Sequence, residues 1–326
     1  MKTFSAFAIC CCIVSAASAQ YNSKNLTIEE STVTQFTYKN LRLFPIYAND
    51  TFMNAHKDLG KYISLQKALE GKKVNITETG SGTHSNAEYS GGATVNTLQI
   101  ENTSNDTIFL MAGEIVKGGQ QDRVLAQDMI IAPNTGKQNL SVFCVEHGRW
   151  SYTNESKQAG NKFYGYSKAA GNGIRKTAVV EKNQQGVWDK VADVTKKNEA
   201  ASETGTYTAL DTSKKYNEAL KGYTDYFKTA MKGKGNVIGV VACSGDKVIG
   251  CDMFATPVMF SEHLDALLNA YTTEAMTNGS GVTADFKKAQ GYLDKILADE
   301  SKQEEELKKN GTFLKHKGKK VHCASF

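Results

Sequence analysis

The chain has 326 residues, 40% of them hydrophobic, and a formal net charge of +5. That is enough apolar material for a real core, in one large domain or two modest ones. So mild a positive balance gives no ground for a nucleic-acid partner, and no window after the first residues is long and apolar enough for a membrane span.

Residues 1–19 read as a cleavable leader. Lys2 is its positive start, Phe4 to Ala17 its apolar stretch, and Ala17-Ser18-Ala19 its small-residue cleavage site. Cleavage would leave Gln20 as the N-terminus of an exported protein, secreted or periplasmic. Cys10, Cys11 and Cys12 follow Phe7-Ala8-Ile9 rather than the small residues that precede a lipid-bearing cysteine, so a soluble product is expected. Cys144, Cys243, Cys251 and Cys323 then remain in a compartment that permits disulfides. Four cysteines allow several pairings, and no C-x-x-C spacing suggests a zinc ribbon or a thioredoxin-like centre. Asn25, Asn49, Asn75 and Asn102 each begin an Asn-x-Ser/Thr triplet, which matters only in a source that glycosylates.

In the first half, strand-like and turn-like stretches alternate. Thr37 to Tyr47 reads as a strand whose Pro45 marks an edge or a bend. Leu59, Tyr62, Ile63 and Leu69 follow helical spacing up to Gly71. Val74 to Thr79 reads as a strand, Gly80 to Gly92 as a loop, and Thr94 to Asn102 and Thr107 to Val116 as further strands. Gly118-Gly119 turns the chain into Arg123 to Ala132, and Pro133 to Gly136 turns it into Leu140 to His147.

The second half is mostly helical. Tyr152 to Arg175 looks irregular. Apolar spacing marks helices around Val187–Val194, Tyr216–Phe227, Leu264–Tyr271 (with Ser261 as its N-cap) and Phe286–Leu297. Val237 to Ala242 and Lys247 to Met253 read as a hairpin turning near Gly245. That register sets Cys243 opposite a residue near Lys247 and Cys251 opposite one near Gly239, too far offset to bridge. A last hairpin is expected around Lys317-Gly318, in a lysine-rich stretch that reads as a solvated face. The expected class is α+β: an N-terminal β-meander or sandwich-like sheet with one helix, then a mostly helical lobe with a β-hairpin. We expect one continuous domain over residues 20–326, β-rich to about 150 and helical from about 151.

The segment from Gly113 to Trp150 holds the strongest chemical signal. It crowds two glutamates, two arginines, a glutamine pair, a histidine and a cysteine into consecutive strand-like stretches. Charge in a strand calls for a site or a buried ion-pair network. One reading is a binding or scaffold domain in which Gln121, Arg123, Arg149 and Trp150 hold a small anionic ligand, because guanidinium forks suit carboxylates and phosphates. The alternative is a hydrolase with Glu114 and Glu146 as acid and base and the two arginines holding an anionic substrate. On a strand, Cys144 and Glu146 would share a face about 6.6 Å apart, with His147 on the other face. Cys144 reads as a buried small residue or a disulfide partner rather than a nucleophile. The six histidines show no ligand-like spacing, so neither a metal nor a cofactor is expected. Closed Glu–Arg pairs would favour the scaffold, an open cleft with unpaired carboxylates the enzyme.

At this segment the chain resembles the ARG and rhodanese-phosphatase-superfamily-associated protein domain, a bacterial family of unassigned activity. The resemblance rests on Gly113-Glu114, Gly118-Gly119, Gln121, Arg123, Cys144-Val145-Glu146 and Gly148-Arg149-Trp150. It extends more weakly to Leu65–Gly71, Glu78, Gly250–Phe254 and Leu267–Ala275. The family's name implies association with ADP-ribosylglycohydrolases and rhodanese or phosphatase-like proteins, hence a nucleotide or ADP-ribose-related ligand.

Overall fold

A computed structural model describes residues 20–79 and 96–326. The leader and the Gly80–Gly92 loop read above lie outside the described residues. Within them, 16 strands form three sheets interspersed with helices, so the fold is α+β.

The largest sheet has the strand order Leu26–Thr27, Leu41–Ala48, Val237–Ser244, Lys247–Phe254, Lys319–Ser325 and Gly311–His316, with Thr37–Tyr38 also pairing to Leu41–Ala48. The expected lobes on either side of residue 150 therefore share this sheet. Pro45 falls between the short strands that flank Leu41–Ala48, an edge setting where a missing N–H is tolerated. Every residue of Val237–Ser244 is buried because helices cover both faces of the sheet. Val240, Ala242 and Phe254 pack towards the helices Lys214–Met231 and Pro257–Asn278. Val241, Cys243, Cys251, Met253 and Cys323 pack on the opposite side, with the helices Phe286–Ile296 and Glu300–Asn310.

A six-stranded sheet runs Phe163–Ala169, Glu114–Gly118, Arg123–Leu125, Gln138–Cys144, Thr97–Asn102 and Val74–Glu78. One face packs on the helix Gln184–Lys197 through Ile115, Val124, Val187 and Val191. The other packs through Ile76, Leu98, Val116 and Leu140 against the small sheet Met129–Ile131, Ile108–Leu110 and Ile63–Ser64.

Several expectations are corrected. The helix expected over Leu59–Leu69 is confined to Leu65–Glu70, because Ile63–Ser64 is a strand and Ser64 accepts the Lys67 N–H as N-cap. A further helix, Asp50–His56, precedes it with Asn49 as its cap. Thr107–Val116 breaks into two strands at Gly113. Its φ of +93° opens the bend, and a Cβ there would lie 2.4 Å from Arg175 Cγ. The supposedly irregular Tyr152–Arg175 contains the strand Phe163–Ala169, whose alternation is masked by Gly165, Lys168 and two register shifts. Thr256, not Ser261, caps the helix Pro257–Asn278. In the Gly245 hairpin a register shift after Ala242 sets Cys243 opposite Val248 and Cys251 opposite Val241. The four cysteines among the described residues, Cys144, Cys243, Cys251 and Cys323, are buried and unpaired with one another.

Candidate functional site

The strand Gln138–Cys144 ends two residues before Glu146, so Glu146 and His147 lie on the turn beyond it rather than on opposite strand faces. There Glu146 Oε2 accepts from Arg149 Nε at 2.9 Å and from the Asp122 backbone N–H at 3.2 Å. Arg149 also reaches Asp122 Oδ1 at 3.3 Å and donates to the carbonyls of Gly119 and Ser151 at 3.0 and 2.8 Å. Gly119 can offer its carbonyl there because its φ is +54°, and a Cβ at that position would meet the Phe163 ring at 2.5 Å. Burial raises the Asp122 carboxyl, while the Gly118 N–H, the Thr208 hydroxyl and Arg149 pull the other way. Arg123 is buried beside this group, bonded to the Gln121 carbonyl at 2.8 Å and to Glu78 at 3.4 Å, and its Nε has no partner among the described residues.

Gln121, Arg123, Glu146 and Arg149 thus gather at one end of the six-stranded sheet, joined by Asp122 and Glu78. Trp150 is 46% exposed at its edge. His147 turns to the Trp188 ring, 4.6 Å between centroids. Cys144 is held at the sheet end by Gln184, and burial pushes its thiol up to about 11, which leaves it a poor nucleophile at neutral pH.

Glu114 belongs elsewhere. It is fully buried, accepting the Met111 N–H at 2.8 Å and the Tyr166 hydroxyl at 3.0 Å. Burial pushes its carboxyl up to about 7, with Asp128 adding to the rise and the two hydrogen bonds and Arg175 opposing it.

Asp128 and Arg175 lead to a second charge network that the sequence reading missed. Arg175 forms a two-pronged pair with Asp252, at 2.7 and 3.0 Å, with both side chains wholly buried. Two further donors go to Asn172 at 3.0 Å and the Ala112 carbonyl at 3.3 Å. His322 lies between two carboxylates, Nδ1 at 2.8 Å from Asp128 and Nε2 at 3.1 Å from Asp252. Burial alone would lower its imidazole, but these carboxylates outweigh that and push it up to about 9. An imidazolium can donate to both. The Tyr271 hydroxyl also donates to Asp252. Two cations and two anions balance here, while the partners of Glu114 among the described residues are neutral donors, the Met111 N–H and the Tyr166 hydroxyl. Asp252 pairs with Ala324 and Phe254 with His322 in the sheet register, so Asp252 and His322 are diagonal neighbours on one face. Asp128, Arg175, Asp252 and His322 are scattered along the chain, and the only sequence cue was a charged residue, Asp252, amid a buried apolar strand.

The Tyr166 hydroxyl that meets Glu114 belongs to a residue lining an open cleft of about 460 Å³. The strand Phe163–Ala169 and the helices Leu65–Glu70, Lys214–Met231 and Pro257–Asn278 enclose it. No group of three or more His, Cys, Asp or Glu among the described residues is arranged to hold a metal ion.

With this geometry in place, comparison with known proteins is decisive for the family. Residues 30–324 match the family model of the ARG and Rhodanese-Phosphatase-superfamily-associated Protein domain. The chain belongs to that family. The match takes in every strand of the six-stranded sheet, both charge networks and the cleft. No curated protein and no solved structure matches the chain. Among the described residues no helix is long and apolar enough to cross a membrane.

Proposed function

We propose that this member of the family is an exported, non-catalytic binding module in which the Glu146–Arg149–Asp122 cluster braces the end of a sheet. The observation that carries this reading is the commitment of Arg149: its donors go to Glu146, Asp122 and two backbone carbonyls. An anion bound by Arg123 and Arg149 would have to displace Glu78, Asp122 and Glu146, at the cost of stranding buried carboxylates. A hydrolase using Glu114 and Glu146 would need both to face one substrate, yet they share no hydrogen-bond partner, and Glu114 lies behind Tyr166. A small-molecule role fits the open cleft better than it fits the closed cluster.

A thermal-shift screen of the mature protein against nucleotides, ADP-ribose, sugars and amines, with turnover of each hit followed in parallel, tests this reading. We expect at least one saturable stabilisation without turnover. Conversion of a hit to product, abolished by Glu146→Gln, would establish the hydrolase instead.

A further inference from the structure

We propose that the cleft floored by Tyr166 and Asn269 binds a small organic cation, an amine or guanidinium compound. This inference names the ligand class of the module proposed above and rests on that reading.

The floor is an acceptor in want of a donor. Asn269 is 3% exposed; its Nδ2 donates to the Ala169 carbonyl at 2.6 Å, and its Oδ1 has no partner among the described residues. A buried acceptor left unbonded is costly, so a small swing of the amide towards the cleft, to take an N–H or O–H from a ligand or from water, would be favoured. The charge at the mouth points to which ligand. Glu70 and Asp265 line the cleft, both exposed. The single basic lining residue, Lys168, extends its ammonium to Asn217 at 3.2 Å and towards Asp211 at 4.0 Å, neither of which lines the cleft. Lys228 meets Asp265 at 2.8 Å, but this is a surface pair with both side chains at least half exposed, which a bound cation can replace at little cost.

The walls suit the same ligand. Tyr164, 39% exposed, and Tyr166 present aromatic surface, and Leu69, Leu220 and Ala266 supply apolar contact for a short carbon chain. A cation with several N–H groups would satisfy Asn269 and the carboxylates together. A phosphate or carboxylate would meet acceptors and negative field on most sides. The volume is within the usual range for a small-molecule pocket.

The test is isothermal titration of the mature protein with agmatine, which carries both an amine and a guanidinium, alongside putrescine, AMP and ADP-ribose. Agmatine should bind saturably, and more weakly as salt rises. The double variant Glu70→Gln/Asp265→Asn alters only exposed side chains, so it should keep the wild-type melting temperature while weakening agmatine at least tenfold. Arg149→Ala should leave agmatine binding unchanged. The inference falls if no cation saturates below about 10 mM, a range already weaker than ordinary specific ligands, or if the double variant binds agmatine as well as the wild type. Anion binding that disappears in Arg149→Ala, with no saturable binding of agmatine or putrescine, would overturn the cleft assignment while preserving the binding module. Conversion of agmatine to product would preserve the cleft's cation preference while overturning the non-catalytic reading.

Discussion

The two charge networks differ in how they are built and in how they meet water. The Arg175–Asp252–His322–Asp128 group is sealed in the core, with side chains at most 1% exposed, and joins a loop, a short helix and two neighbouring strands of the largest sheet. The Glu146–Arg149–Asp122 group is local, drawn from two neighbouring turns, and Arg149 keeps 13% of its side chain in contact with solvent. Coulombic attraction and desolvation both grow as water is excluded. The core network should therefore be the costlier one to break, although the peripheral one stands out in the sequence.

The most severe way to test that contrast is Asp252→Ala. It strands the Arg175 guanidinium and removes one of the two acceptors of His322, and we expect a loss of about 3–5 kcal/mol in denaturant melts. A loss below that of Glu146→Ala would reverse the ranking of the two networks.

The next effect is a dependence on pH to which His322 of the core network and its neighbour Glu114 should contribute in separate windows. His322 has a folded value raised to about 9 from 6.5, so its contribution is complete below about pH 6.5 and is lost as pH rises through about 9. The whole step is on the order of 3 kcal/mol. Glu114, raised from 4.5 to about 7, acts with the same sign in a lower window: its neutral form fits the core below about pH 4.5, and that advantage is lost as pH rises through about 7. Melts from pH 5 to 10 should show His322→Gln flattening the upper part of the decline and Glu114→Gln the lower. An unchanged slope in either variant would mean that the residue is not the titrating group.

Glu146→Ala should cost less, about 1.5–3 kcal/mol, the range for hydrogen bonds to a charged group. Arg149 would retain Asp122, two carbonyls and partial solvent access. A cost within about 1 kcal/mol would instead place the pair with ordinary surface bridges and weaken the bracing role.

The difference between the networks also explains what was legible in the sequence. Glu146, Arg149, Gln121 and Arg123 lie within 29 positions of one another, so their crowding stands out in the sequence itself. The apolar periodicity of Tyr216–Phe227 and Val187–Val194 likewise marks the helices Lys214–Met231 and Gln184–Lys197. The core network is assembled from residues up to 194 positions apart, a distance closed only by sheet pairing. Sequence proximity groups Glu114 with Glu146, whereas its long-range partner, Tyr166, comes from the strand Phe163–Ala169, whose alternation Gly165 and the register shifts conceal. The sharing of the largest sheet by the two ends of the chain was illegible for the same reason: no local pattern records which strands pair across about 200 residues.

The smallest effect concerns Trp150, grouped by sequence with the ligand-binding arginines. At 46% exposure about half of its surface is already in water, so truncation forfeits only the transfer free energy of the covered half, and it carries none of the buried charge of its neighbour Arg149. Trp150→Ala should lower stability by about 1 kcal/mol, roughly half of what full burial of a large apolar side chain contributes. It should also leave agmatine binding intact, because the residue does not line the cleft. A loss approaching that of Glu146→Ala would show that the ring shields the Glu146–Arg149 pair from water. The peripheral network would then be nearer to the core one than its exposure suggests.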